Sequence, residues 1–148
     1  MQLLASIHPG LNDQLKQMTP VQRADLARRL ILAQVDGFLG LPGVMAYRDR
    51  LVARQSLTCD AAESFRRLNE EFQRREGEMQ DEGATESQVD LVFRAGCFAA
   101  ALWSAAASQP DMTARDIAEV LYDLGYAQAD PDAYWEAAFA ESKRIPAT

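Results

Sequence analysis

Residues 86–108 read ESQVDLVFRAGCFAAALWSAAAS, and this stretch decides the fold class. Thr85 stands just before it, and a Thr followed three residues later by Gln88 forms a capping box that satisfies free backbone amides of the first helical turn. Apolar side chains then fall on almost every face, and the many alanines let neighbouring helices approach closely. Because a helix that is apolar all round is usually buried, we expect a central core helix over about residues 86–108.

The same stretch is close to the length of a membrane span, so its charged residues matter. Asp90 and Arg94 lie within it, and alanine dominates its composition. Charged side chains are costly inside a bilayer. We therefore interpret the stretch as a core helix and expect the protein to make no membrane contact.

Helix-start signals recur on both sides of this helix, and no stretch of useful length shows the alternation of a β-strand. Thr19-Pro20-Val21-Gln22 and Thr113 with Asp116 are further capping boxes, Asp130-Pro131 opens a last helix, and Gly125 suits the position just after a helix end. The other predicted helices run from Pro20 to Asp36, Val44 to Arg54, Cys59 to Asp81, Thr113 to Gly125 and Asp130 to Arg144. The predicted fold class is all-α, with a single helical domain over residues 1–148 formed by a bundle of five to seven helices around the central one.

The charge of the chain restricts its partners. Fifteen Lys and Arg against 22 Asp and Glu give a formal net charge of −7, which repels phosphate backbones and anionic lipid surfaces. We therefore expect no nucleic acid as a partner. The two cysteines lack metal or redox spacing, and the N-terminal residues do not resemble an export signal, so we expect reduced thiols and a cytoplasmic location.

Few residues suggest catalysis or metal binding. The chain has a single histidine, His8, which we interpret as a solvated turn residue. Cys59 lies in the first turn of a predicted helix, where the dipole favours a thiolate, but Asp60 opposes this and no general base accompanies the pair. We therefore predict no catalytic residue, no metal site and no cofactor, and we favour a role other than that of an enzyme.

The segment between the first two predicted helices allows two interpretations. Residues 37–43 read GFLGLPG and match no phosphate-binding motif. In the first interpretation the segment is a tight crossing whose apolar side chains cover the core. In the second it is a mobile flap that presents Phe38, Leu39 and Leu41 to a partner or ligand.

The long helix predicted over Cys59 to Asp81 carries a narrow apolar seam. Phe65, Leu68 and Phe72 recur at steps of three and four residues, and opposite charges cover the other faces. The seam packs against the bundle or pairs with a second copy across a two-fold axis, which would make a homodimer.

The C-terminal region combines aromatic and acidic side chains, a composition typical of surfaces that bind basic partners. The residues predicted to contact such a partner are Tyr126, Asp132, Tyr134, Trp135 and Glu136. In the alternative interpretation, these aromatic residues only dock the last helix on the bundle.

These observations favour a small acidic interaction factor, of the chaperone, adaptor or inhibitor and immunity type, that covers a basic surface of another protein. The alternative is a bundle that binds or transforms a small molecule in an apolar pocket lined by Phe93, Phe98, Trp103 and Trp135. A transcriptional regulator is a remote third hypothesis, because the last helix would lead into a DNA groove with acidic residues.

Overall fold

The computed structural model describes residues 3–55, 59–108 and 111–146, and at Cys59 it describes the backbone alone. Within these ranges the regular structure is entirely helical, which confirms the predicted all-α bundle. The helices are α1 (Leu3–Ile7), α2 (Pro9–Gln17), α3 (Pro20–Gln34), α4 (Val44–Val52), α5 (Cys59–Asp81), α6 (Glu86–Ala107), α7 (Ala114–Tyr126) and α8 (Pro131–Ser142), with a 3-10 turn at Val35–Phe38.

The predicted capping boxes and the Asp130 cap are confirmed, and each is specified by local hydrogen bonds. At Thr19, Thr85 and Thr113 the hydroxyl accepts from the backbone amide three residues later, whose side chain accepts from the Thr amide in return. Asp130 caps α8 by accepting from the Ala133 amide at 3.2 Å. Each device satisfies amides that would otherwise be unpaired at the start of a helix.

Two short N-terminal helices add to the predicted set, and the expectation for His8 was wrong. His8 is the N-cap of α2, where its Nδ1 accepts from the Leu11 amide at 2.9 Å. Its Nε2 lies 2.6 Å from the Glu136 carboxylate, and its ring meets Phe139 edge to face. His8 is therefore a structural link between α2 and α8 rather than a solvated turn residue.

The predicted role of Gly125 was also wrong, because α7 continues past it to Tyr126. A Cβ added at Gly125 would lie 2.4 Å from the indole of Trp135. The absence of a side chain therefore lets the Trp135 ring rest on the α7 backbone, where Trp135 Nε1 donates to the Leu121 carbonyl at 2.8 Å. The glycine serves a close contact between helices and not a helix end.

The helices enclose a core to which all eight contribute. α6 packs between α5 and α7, and α7 in turn contacts α1, α2, α3 and α8. The C-terminal half of α6 supplies fully buried side chains such as Phe98 and Leu102, whereas Leu91 in its N-terminal half is 67% exposed. The α5–α6 hairpin therefore extends beyond the core at its tip.

α6 is long and apolar enough to cross a membrane by length and composition. Within its most apolar window, 39% of the residues are buried inside the bundle. The core helix of a folded domain meets the same criteria, so the test by itself is weak evidence for a span.

Candidate functional site

A groove runs along the face of α6 that points away from the core, and we call it the α6 groove. Three adjoining cavities of about 420, 500 and 530 Å³ form it, and each shares lining residues with the next. Its floor on α6 is lined by Phe93, Gly96, Cys97, Ala100, Trp103 and Ala107. With Val89 at the outer end, the floor spans eighteen residue steps, or about 27 Å at about 1.5 Å per residue.

Where α5 packs against α6, the small residues Gly96 and Ala100 leave the floor of the groove recessed. Asn69 on α5 is buried and donates from Nδ2 to the Gly96 carbonyl at 2.9 Å. A Cβ at Gly96 would lie 3.2 Å from the Cβ of Phe72, so glycine permits this close approach. The larger Phe93 and Trp103, which are 39% and 37% exposed, rise on either side of this low point.

The rim of the α6 groove is predominantly acidic. Two of its carboxylates already have basic partners, because Arg94 Nη2 lies 2.5 Å from Asp90 and Arg115 Nε lies 3.5 Å from Glu119. Glu76 on α5 and Asp123 on α7 form no ion pair with any described residue. Both line the middle cavity, whose described lining contains no basic side chain.

Asp123 is the carboxyl group most altered by this environment. Burial, with a smaller contribution from the negative charge of Glu119, raises its pKa to about 7. The aromatic rings of Trp103, Tyr122 and Tyr126 line the same cavity, and the two tyrosine rings meet edge to face with centroids 4.9 Å apart. A carboxyl group among aromatic faces is a suitable environment for an organic cation.

The thiol that lines the middle cavity, that of Cys97, is unsuited to nucleophilic chemistry. Burial raises the pKa of its thiol to about 12, and the carboxylates of Asp123, Glu76 and Asp90 add to this effect. A nucleophilic cysteine needs the thiolate, so Cys97 stays protonated at neutral pH. Among the described residues, no group of three or more His, Cys, Asp and Glu side chains is placed to hold a metal ion.

The residues predicted to contact a partner do not form one surface. Trp135 is only 2% exposed, so it belongs to the core, as the docking interpretation expects. Tyr134 is half-buried, with a buried hydroxyl group. Asp132 and Glu136 are exposed, and Glu136 faces His8. Tyr126 is half-buried and lines the α6 groove, which makes it the member of the set that belongs to the candidate site.

The predicted dimer seam packs inside the same chain. Phe65 is 2% exposed and meets Tyr47 of α4 edge to face at 5.1 Å. Leu68 packs against the core, and Phe72 contacts the groove floor. These contacts leave Phe65 unavailable to a second copy in this structure.

The apolar residues of the predicted flap lie on the core. Phe38 stacks on Phe98 with ring centroids 4.1 Å apart, and Leu39 and Leu41 pack beside it. This placement agrees with the interpretation of the segment as a tight crossing. Movement of the segment stays a prediction.

The structure divides the predicted apolar pocket in two. Phe93 and Trp103 line the α6 groove, whereas Phe98 and Trp135 fill the core.

Sequence reasoning missed Asp123 as a site residue, although Glu119, Asp123 and Tyr126 recur at steps of four and three, the spacing of one helix face. Cys59, considered as a reactive thiol, has its side chain outside the described residues.

Comparison with protein-family models, curated proteins and solved structures finds no match to this chain. The function is therefore inferred from the chemistry of the groove. Its described lining offers an apolar floor, aromatic faces and two carboxylates that form no ion pair with a described residue, a combination chemically suited to amphipathic cations.

Proposed function

We propose that this protein is an interaction factor that binds a basic amphipathic helix of a partner protein in the α6 groove. The observation that carries the proposal is the continuity of the three cavities along one face of α6. An amphipathic helix laid in an apolar groove is a recurring mode of protein recognition.

The dimensions of the groove favour a helix over a compact ligand. The floor of about 27 Å, from Val89 to Ala107, matches a segment of about 18 residues in helical form. Such a helix presents apolar side chains every three or four residues. These would contact Phe93, Ala100 and then Trp103.

The charges of the groove favour a basic partner. Glu76 and Asp123 have no ion-pair partner among the described residues, and the chain as a whole carries a formal charge of −7. Complementary charge speeds encounter and disfavours acidic competitors. The proposal retains the small acidic interaction factor expected from the sequence and moves its binding surface from α8 to α6. It applies equally to a chaperone, an adaptor or an inhibitor.

The test uses a synthetic peptide as the probe, a helix of about 18 residues in which leucines recur every three or four positions and the remaining residues are lysine. A second peptide with glutamate in place of lysine is the matched control. We expect calorimetry to detect binding of the lysine peptide and none of the glutamate peptide. Failure of the lysine peptide to bind would overturn the proposal.

Variants of the protein test whether the lysine peptide binds in the α6 groove. Ala100 lies on the floor where two of the cavities meet, so Ala100→Trp should obstruct the groove and weaken binding by about tenfold or more, which corresponds to about 1.4 kcal/mol. Ala46 is exposed on α4, and Ala46→Trp is the control that should bind normally. Glu76→Lys gives a second test that leaves the packed floor intact, and it should also weaken binding.

Light scattering tests the competing occupant, a second copy of the chain. We expect the unliganded protein to be a monomer. A dimer that Ala100→Trp converts to a monomer would show instead that the groove is a self-interface, and this result would contradict the proposal.

A further inference from the structure

The middle cavity of the α6 groove differs from the two at its ends. It has a volume of about 500 Å³ and is walled by Phe72 of α5, Trp103 of α6, and Tyr122 and Tyr126 of α7. Asp123 lies in this wall and also lines the neighbouring cavity with Lys16 and Arg115, but it forms no ion pair with any described residue. A carboxyl group held in an apolar and aromatic enclosure without a counter-ion is costly once it ionises, unless a cation enters.

We propose that the middle cavity is a specific subsite for one alkylammonium or guanidinium group, supplied by a lysine or arginine side chain of the docked helix, and that Asp123 is its anchor. This inference rests on the proposed function and adds a specificity-determining residue to it. The cation would pair with the Asp123 carboxylate while its methylene groups lie against Trp103 and Tyr122.

The raised pKa of Asp123 links binding at this subsite to proton release. Because burial raises the pKa of Asp123 to about 7, this carboxyl is mostly protonated at pH 6 and mostly ionised at pH 8. A cation binds the ionised carboxylate, so its binding releases the proton from those molecules in which Asp123 is still protonated. The affinity of the peptide should therefore rise by about tenfold between pH 6 and pH 8, in proportion to the ionised fraction.

Other ionisable groups near the cavity do not account for such a change. The Tyr122 hydroxyl and the Cys97 thiol stay protonated in this range, since burial raises the pKa of Cys97 to about 12 and also raises that of Tyr122. The other charged side chains that line the middle cavity or the two beside it are Lys16 on α2, Glu76 on α5, Glu86 and Asp90 on α6, and Arg115, Asp116 and Glu119 on α7. These charged side chains influence Asp123 in the wild-type protein. Because Asp123→Asn leaves all of them in place, a loss of pH dependence in that variant is attributed to Asp123.

The test compares wild-type protein with Asp123→Asn, using the leucine and lysine peptide at pH 6 and pH 8. Asparagine keeps the shape of the protonated carboxyl group and cannot ionise. We expect Asp123→Asn to lower the affinity by about tenfold at pH 8 and to abolish its pH dependence. Calorimetry in two buffers of different ionisation enthalpy measures the protons released on binding. At pH 7 the wild type should release a fraction of a proton per bound peptide, and the variant should release none.

Asp49→Asn is the matched control, because Asp49 is exposed on α4 and lies outside the groove. It should behave as the wild type does. If Asp123→Asn keeps the wild-type affinity and pH profile while Ala100→Trp still blocks binding, the subsite inference fails and the proposed function stands. If the peptide binds none of these proteins, both fail. Binding of n-butylguanidinium that depends on Asp123, together with peptide binding that does not, would also overturn the assignment to a partner side chain.

Discussion

At the scale of single residues, the contact between Gly125 and Trp135 determines how α8 meets α7. The indole lies where a Cβ of residue 125 would stand, and its Nε1 donates to the Leu121 carbonyl. The ring also packs edge to face against Tyr126, with centroids 5.3 Å apart. Replacement of the glycine therefore changes packing at a fully enclosed point, where side chains have little room to adjust.

We expect Gly125→Ala to destabilise the protein, because the new methyl group overlaps the indole. Overpacking of this kind typically costs about 1–3 kcal/mol, and the better helix propensity of alanine offsets up to about 1 kcal/mol. Gly77 lies within α5, and a Cβ added there would meet nothing within 4 Å. Gly77→Ala should therefore stabilise the protein by about 0.5–1 kcal/mol. Urea denaturation measures both changes, and equal effects of the two substitutions would contradict this account.

Asp123 also makes a testable contribution to stability without any ligand. Its pKa is raised from 3.8 to about 7 in the folded protein, so between these values the folded state binds more protons than the unfolded state. The stability associated with this group is present below pH 3.8 and is lost as the pH rises through about 7.

Asp123→Asn removes that loss, so it should raise the free energy of unfolding relative to wild type, and more at pH 8 than at pH 4.5. We expect a difference of about 2 kcal/mol between the two gains, since each pKa unit corresponds to about 1.4 kcal/mol and water still reaches part of the carboxyl. Urea denaturation of both proteins at the two pH values provides the measurement. A gain that is the same at both would show that the carboxyl is not desolvated.

At the scale of secondary structure elements, the α5–α6 hairpin has two parts with different surroundings. Near the crossing it is held by Phe65, Asn69 and the buried half of α6. Towards the tip, α5 exposes most of its residues, and Leu91 of α6 is largely exposed. Helical hydrogen bonds with little tertiary burial open more readily than those of a core.

Hydrogen exchange should therefore divide the hairpin. We expect backbone amides in residues 76–81 and 89–93 to exchange much faster than those in residues 97–106, although all of them lie within helices α5 and α6. A lysine peptide that fills the groove should slow exchange in the first region by covering Val89 and Phe93. Uniform protection along α6 in the free protein would contradict this division.

At this scale the sequence was informative about helix starts and less so about helix ends. The capping boxes at Thr19, Thr85 and Thr113 are short-range hydrogen-bond patterns, so they can be recognised from a few residues. α3 was predicted to reach Asp36 but gives way to a 3-10 turn after Gln34. Gly125 was wrongly predicted to follow a helix end, because the residue that requires a glycine there, Trp135, lies ten residues further along the chain.

At the scale of the whole molecule, the all-α class could be predicted because periodicity and capping are local properties. The groove could not, because it depends on which faces of α5, α6 and α7 remain uncovered once the helices pack. From the sequence alone, Trp103 and Trp135 were equally expected to line the apolar pocket. Their different positions follow from tertiary contacts, in particular those that place α8 over Gly125.

The separation of these two residues gives the protein two optical reporters, since its chain contains two tryptophans. We expect Trp135, buried against α7, to emit at shorter wavelength, and Trp103, 37% exposed in the groove, to emit at longer wavelength and to be accessible to quenchers such as acrylamide. Occupation of the groove should change the long-wavelength component of the emission spectrum, and unfolding should change both components. Binding and folding can therefore be followed separately in the unlabelled protein, in one cuvette and under the same excitation.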